Sequence, residues 1–319
     1  MAILHWVQAA RPLAHVNIVV PILLGHAAAW HTMRAFDARW LLAALAWGVL
    51  DHLFVIFSND YADREADSGA RTVLSGGSGV IPEGKLRPAQ IERAARRTAI
   101  ALVAYSCALA LAGRAWIPVY ALAALLLMWL YSFKPVRASY RGGGELLQGL
   151  GVGVGLPSLG YYMQTEVWLA PAWAIGPAFL FGVCSNVLTA LPDLEDDADA
   201  GKRTWPVRHG MLSARRFASA GIAFGAFAVF LFTPGIPVPA QAVVAIVPLV
   251  PLLIGARARD PLRAAGWSSL ALNLLELAAD LAQEGRITPG TMDEVLQASL
   301  RRFDKGGDLF YDQISALHK

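Results

Sequence analysis

Apolar runs long enough to cross a bilayer recur along most of the chain, and this recurrence limits the fold more than any other feature. One crossing takes roughly 20 mostly apolar residues. Such stretches lie near 12–31, 40–58, 98–114, 116–133, 144–164, 169–191, 217–233, 238–256 and 264–282, the last interrupted by Glu276 and Asp280. The 319 residues are 56% apolar and 16% charged, where soluble domains carry about 25% charged residues. Too little polar sequence remains to solvate that many helices in water. The first run follows Arg11 and leads directly into further apolar runs, so it reads as a retained span and not as a secretory leader.

Lipid offers no partner to an exposed peptide group, so membrane spans are helices or closed barrels. Continuous runs such as "ALAALLLMWLYSF" lack the alternation of a barrel strand. The expected fold is therefore all-α: a polytopic bundle of about nine transmembrane helices around a central cavity open to the cytoplasmic side. The membrane domain is expected over 1–283. A polar tail follows over 284–319, where Met292, Val295, Leu296 and Leu300 can line one side of a short amphipathic helix.

Positive residues mark the cytoplasmic side. The loops 59–97, 134–143, 192–216 and 257–263 hold eighteen Lys or Arg residues, and the alternate loops hold three. The N-terminus and the long polar loops are thus expected in the cytoplasm, with the protein in the inner or plasma membrane. A net charge of +3, spread along the chain, gives no footprint for nucleic acid. Cys107 and Cys184 lie inside apolar runs, where they read as small hydrophobes and not as a disulfide or metal site.

Two acidic clusters stand out against this background. In "NDYADREAD" Asp60, Asp63 and Asp67 are spaced by three and four, which puts them on one face of a helix. In "PDLEDDADAGKRT" Asp193 is followed by Asp196 and Asp197 at the same two intervals. Like charges so placed repel, and something must neutralise them. Oxygen-rich sites suit Mg2+, which takes one or two carboxylates and completes its shell with water and substrate phosphates. Facing clusters of this kind would hold Mg2+ around a diphosphate and supply positive charge where a leaving group develops negative charge. Helix caps and solvated loops are the plainer reading of either cluster alone.

Basic residues suit the remaining diphosphate oxygens: Lys134, Arg137 and Arg141 in "KPVRASYRGGGE", and Lys202 and Arg203 after the second cluster. Each also fits the ordinary positive bias of cytoplasmic loops. The segment "LSGGSGVIPEGKL" lacks the strand and the ending of a nucleotide-binding loop and reads as a cap over the cavity. The small residues of "GGGELLQGLGVGVGLPSLG" are explained by close helix packing. Tyr131 and Tyr140 flank the basic loop, where aromatic faces could meet a cation. The other tyrosines read as interfacial anchors.

With these residues in view, the chain resembles the UbiA superfamily of intramembrane prenyltransferases. Asn59, Asp60, Asp63 and Asp67 match its first signature, and Asp193 and Asp197, followed by Gly201, Lys202 and Thr204, match its second. The resemblance implies a helical bundle whose cavity holds a magnesium-bound prenyl diphosphate. It implies transfer of the prenyl chain to a small aromatic acceptor through an allylic cation. Asn59, Lys134, Arg137, Arg141, Lys202 and Arg203 would contact the diphosphate, and Asp60, Asp63, Asp67, Asp193, Asp196 and Asp197 the metal. "YRGGGE" and "GKRT" look most like the menaquinone branch, which uses 1,4-dihydroxy-2-naphthoate, although Thr189, Ala190 and Pro192 depart from that branch. The same ionisation would serve a terpene cyclase, and a secondary transporter of an anionic substrate is the reading from another class.

Overall fold

The computed structural model describes residues 2–34, 36–65, 77–191 and 193–232. Within them the secondary structure is helical throughout. The chain opens with α1 (Ala2–Ala10), breaks at Arg11, whose φ of 45° is left-handed, and makes a 3-10 turn over Pro12–His15. Then follow α2 (Val16–Met33), α3 (Ala38–Ala62), α4 (Pro88–Leu111) and α5 (Ile117–Ser132). Two short helices, α6 (Ala138–Arg141) and α7 (Gly144–Gln148), lead into a π-helical stretch, Gly149–Gly155, and α8 (Leu156–Thr165). The described chain closes with α9 (Ala172–Thr189), the short α10 (Leu194–Asp199) and α11 (Trp205–His209), and α12 (Met211–Phe232).

Among the described residues four helical stretches are long and apolar enough to cross a membrane: Ile3–Met33, Ala38–Ala62, Pro88–Leu111 and Ala172–Thr189; α5 is a shorter apolar helix. The expected spans up to 217–233 therefore have helical counterparts, with shifted ends. α4 starts ten residues before the expected 98, because "PAQIERAARR" is polar yet made of good helix formers behind Pro88 at the first turn. Hydropathy reports the part of a helix that lipid covers, not the part that projects into water. The expected spans 238–256 and 264–282 and the tail lie outside the described residues.

α3 is the longest helix. Asp37 caps it by accepting from the Arg39 backbone N–H at 2.8 Å. Its 25 residues span about 37 Å, beyond a hydrocarbon core of about 30 Å. The first acidic cluster begins at its C-terminal end.

The core between α2, α3, α4, α5 and α8 is built on Ile22, Trp47, Leu102, Ile117, Leu159 and Tyr162, all buried. Polar ties run through it: the Trp47 indole donates to Ser106 Oγ at 2.9 Å, and the Tyr162 hydroxyl accepts from the Trp116 backbone N–H at 3.2 Å. α2 and α8 pack backbone to backbone. A Cβ on Gly25 would run into the Pro157 carbonyl, and one on Gly160 into the Ile22 carbonyl. This is the close small-residue packing expected of the glycine-rich segment. At the bundle end away from the acidic clusters, Arg114 donates to the Met163 carbonyl at 2.7 Å, pairs with Glu166 at 2.9 Å and covers the Trp40 ring.

Candidate active site

The C-terminal end of α3, the α5–α7 connection, the end of α9 and the α10–α11 segment surround one cavity of about 350 Å³. Successive turns of α3 put Asp51, Val55, Asn59 and Asp63 on its wall, as the i, i+4 repeat requires. From the second cluster, Asp193 and Asp197 line it, together with Lys202 and Thr204. The two acidic clusters, far apart in sequence, meet here.

Lys202 joins them. Its ammonium lies 3.3 Å from Asp63 Oδ2 and 3.1 Å from Asp197 Oδ1. Asp63 Oδ1 accepts from the Tyr140 hydroxyl at 3.1 Å and has Arg137 Nη2 at 3.8 Å. Thr204 Oγ1 donates to Asp197 Oδ2 at 3.4 Å. Burial alone disfavours the Lys202 ammonium, but Asp63 and Asp197 outweigh it and hold its pKa above the ordinary lysine value. Burial also pushes the Asp197 carboxyl up, against the opposing pull of Lys202 and Thr204. The Tyr140 hydroxyl is pushed up to about 12 by burial and by Asp63.

The scaffold behind these groups is hydrogen-bonded. Glu145, buried at the start of α7, accepts from the Trp205 backbone N–H at 2.7 Å and fixes the strand of chain that carries Lys202. Gly142, with φ of 86°, lets that chain pass. A side chain there would strike Arg208 and the Arg203 carbonyl. Asn186 of α9 donates to the Tyr131 hydroxyl at 3.1 Å and to Gln148 Oε1 at 2.9 Å, and all three line the cavity. Ser132 donates to Asn59 Oδ1 at 3.2 Å and turns that amide toward the same space.

The structure separates the expected site residues into groups. Asn59, Asp63, Tyr131, Asp193, Asp197 and Lys202 line the cavity. Arg137 reaches Asp63 from behind and stacks on the Tyr140 ring at 3.3 Å. That ring is taken up by Arg137 and Lys202 and is not on the cavity wall, so its cation partners are side chains of this protein. Asp60 also departs from expectation: both its oxygens accept from Ser78, one from the backbone N–H at 3.1 Å and one from the hydroxyl. It ties down the glycine-rich segment, as a cap requires, and Gln8 of α1 holds Ser78 from outside at 2.8 Å. Lys134, Arg141 and Arg203 are exposed and off the cavity wall, and Asp196, half-buried on α10, is off the wall as well. Asp67 lies outside the described residues.

Among the described residues no three carboxylate, histidine or cysteine side chains converge at metal-binding spacing. Magnesium does not need three, since one or two carboxylates serve when phosphates and water complete the shell. Asp63 and Asp197, which face each other across Lys202, and Asp193 on the same cavity are hard oxygen donors, and that chemistry fits Mg2+. Asn186, Gln148, Glu145 and Asp51 were not singled out from sequence. The available signal was a polar or ionisable side chain inside an apolar run, as in "VCSNVL" and "GVLDHLF", which by default marks function in a membrane helix.

Comparison with known proteins matches residues 18–275 to the UbiA prenyltransferase family and residues 264–319 to the AAA C-terminal domain. In fold, the chain is similar to a UbiA homologue from Archaeoglobus fulgidus bound to GPP and Mg2+, with a TM-score of 0.64 and 17% identity over 86% of this chain and 99% of that one. It is also similar to an apo UbiA homologue from Aeropyrum pernix K1, with a TM-score of 0.58 and 13% identity over 86% and 97%. Among curated proteins it resembles the Replication-associated recombination protein A of Coxiella burnetii, 53% identical over 70 residues, which are 19% of this chain and 16% of that protein. The same protein of Haemophilus influenzae is 52% identical over 58 residues, 17% and 13%. The chain thus spans about one sixth or less of the curated relatives it matches.

Proposed function

The chain belongs to the UbiA prenyltransferase family, and from this premise we propose that it moves an isoprenoid chain from a prenyl diphosphate to a small aromatic quinone precursor. It is an integral membrane prenyltransferase. The finer assignments that follow, namely acceptor class, residue roles and orientation, are our reading of the site. One observation carries the proposal above all: Lys202 sits between Asp63 and Asp197 on a cavity that also has apolar walls, among them Val55, Leu127 and Met128.

Asp63, Asp193 and Asp197 are the side chains that would hold magnesium, which neutralises the diphosphate and draws off charge as the leaving group departs. Lys202 exchanges its carboxylate partners for diphosphate oxygens, and Arg137 contributes from behind Asp63. Asn59, fixed by Ser132, donates its amide to the same oxygens. The bond between the prenyl carbon and the diphosphate oxygen breaks with its electron pair going to oxygen. Val55, Leu127 and Met128 enclose the allylic carbon and keep water from it. Tyr131, its hydroxyl held by Asn186, turns its ring to the space where positive charge develops. The acceptor ring carbon then bonds to the allylic carbon and restores its aromaticity by losing its proton to the released diphosphate, or its carboxylate as CO2.

The menaquinone-type acceptor is supported by the "YRGGGE" and "GKRT" surroundings. The inside-positive loops support a site facing the cytoplasm across the inner or plasma membrane. The membrane domain is assigned to 1–283 and the polar tail to 284–319. The UbiA match ends at 275 and the AAA C-terminal likeness begins at 264, so the two overlap within the apolar stretch 264–282.

The test offers the purified protein in nanodiscs several prenyl diphosphates with Mg2+ and, separately, hydroxynaphthoate, hydroxybenzoate and homogentisate. Mass spectrometry should find a prenylated aromatic product that requires both Mg2+ and one acceptor. A cyclic hydrocarbon formed without any acceptor would replace this reading with the cyclase.

A further inference from the structure

Asp51 stands in the middle of α3, facing the cavity two helical turns before Asn59. It is 4% exposed, and its Oδ1 is buried with no hydrogen-bond partner among the described residues. The polar groups around it are engaged elsewhere. The Trp47 indole donates to Ser106. The neighbouring His52 uses Nε2 on the Ala10 carbonyl at 2.8 Å and packs its ring against His15. Asn17 of α2 lines the same cavity, together with Arg11, Ile18, Val55 and Ile56.

A carboxyl held in such a place is costly unless something bonds it. The substrate parts already assigned do not. A hydrocarbon chain has no donor, and a diphosphate brings only acceptors and like charge. What satisfies Asp51 is an O–H donor on an uncharged part of a ligand. Its distance from Asn59, about 12 Å along the helix, leaves room for a hydroxylated one- or two-ring aromatic with a hydrogen bond at its far end. We infer that Asp51 forms a second polar subsite of this cavity, which recognises a ring hydroxyl of the aromatic acceptor and orients the ring toward the allylic carbon. The inference rests on the acceptor reading above and names the feature of the acceptor that this chain selects.

Equilibrium binding separates the two readings, because it needs no turnover. Protein in nanodiscs is titrated with 1,4-dihydroxynaphthalene and with its dimethyl ether, with empty nanodiscs subtracted. The unaltered protein should bind the hydroxyl compound at least about tenfold more tightly than the ether, the scale of one buried hydrogen bond to a charged group. Asp51→Leu should bind both alike, and Asp51→Asn, which keeps one acceptor oxygen, should fall between. A thermal melt of Asp51→Leu at or above that of the unaltered protein establishes that it folds. Equal preference for the hydroxyl in all three proteins overturns the inference, even if prenyl transfer proceeds. So does a change in the accepted prenyl length with the hydroxyl preference intact, since Asp51 would then face the isoprenoid chain. Absence of acceptor-dependent product from the unaltered protein, with the hydroxyl preference present, removes the transfer reading and leaves the subsite.

Discussion

Asp63 and Asp197, from opposite ends of the described chain, face each other across a single ammonium, that of Lys202, at 3.3 and 3.1 Å. Each carboxylate also has a hydroxyl donor, Tyr140 for one and Thr204 for the other. The pair is therefore held apart and oriented at a distance set by the lysine. Removal of Lys202 brings two buried like charges together with nothing between them.

Lys202→Met is expected to reduce prenyl transfer by about 100-fold or more, the loss typical of a group that stabilises developing negative charge. It should also lower the melting temperature without Mg2+, and added Mg2+ should restore part of it by standing in for the missing charge. Turnover and melting curves, with and without chelator, check both. A variant that melts normally in chelator would remove the lysine from its bridging role.

The Asp197 carboxyl has a sign that can be worked out. Burial raises its native pKa above the ordinary aspartate value. An acid with a raised native pKa binds its proton more tightly when folded, so its contribution to stability is lost as pH rises from the unfolded value through the native one. At neutral pH the ionised group is then a net cost, and Lys202 retains Asp63 as partner if it is removed. Asp197→Asn should accordingly raise the melting temperature of the ligand-free protein, by about 1–3 °C, while turnover falls sharply. A lower melting temperature would mean that the ion pair with Lys202 outweighs burial.

Ser78 and Asp60 tie the glycine-rich segment to the end of α3. Ser78→Ala removes the hydroxyl bond and leaves the backbone one. Hydrogen exchange in residues 77–87 should speed up by roughly tenfold, equivalent to about 1.4 kcal/mol, with little change elsewhere in the bundle. Unchanged exchange would show that Val80 and Leu86, both buried, hold the segment by packing alone.

The contact between α2 and α8 leaves no room for a methyl group on either side. Gly25→Ala and Gly160→Ala should each destabilise by about 1–3 kcal/mol, the usual cost of overpacking. Gly176→Ala serves as the control, since no atom lies near its added Cβ. Melting of the three variants side by side decides it.

The sequence exposes the helices more readily than the site. Long apolar runs identify the spans because lipid imposes one solution on the backbone, and the two aspartate clusters are visible because their spacing matches a helix. What spacing does not carry is which side of a short helix faces inward. Asp63 and Asp60 look equivalent in "NDYAD", yet Asp63 ends α3 at the cavity while Asp60 turns to Ser78. Lys134, Arg141 and Arg203 share the charge of Lys202 but sit on the outer side of turns whose direction depends on tertiary contacts such as Glu145 to Trp205. Asp51 is the opposite case: its position inside an apolar run announces it, and the strength of that run conceals it.

The length of α3 has a consequence for how substrate arrives. Asp63 at the end of α3 and Val55, about 12 Å back along the helix axis, line one cavity, so a polar head and an apolar tail can be met at two levels of the same helix. An amphiphile already lying in the leaflet has its own charged head and greasy tail at those same two levels, and can slide in sideways without visiting water. Reaction velocity should then follow the mole fraction of prenyl diphosphate in the leaflet, so that diluting it with inert phospholipid at constant total concentration slows the enzyme in proportion.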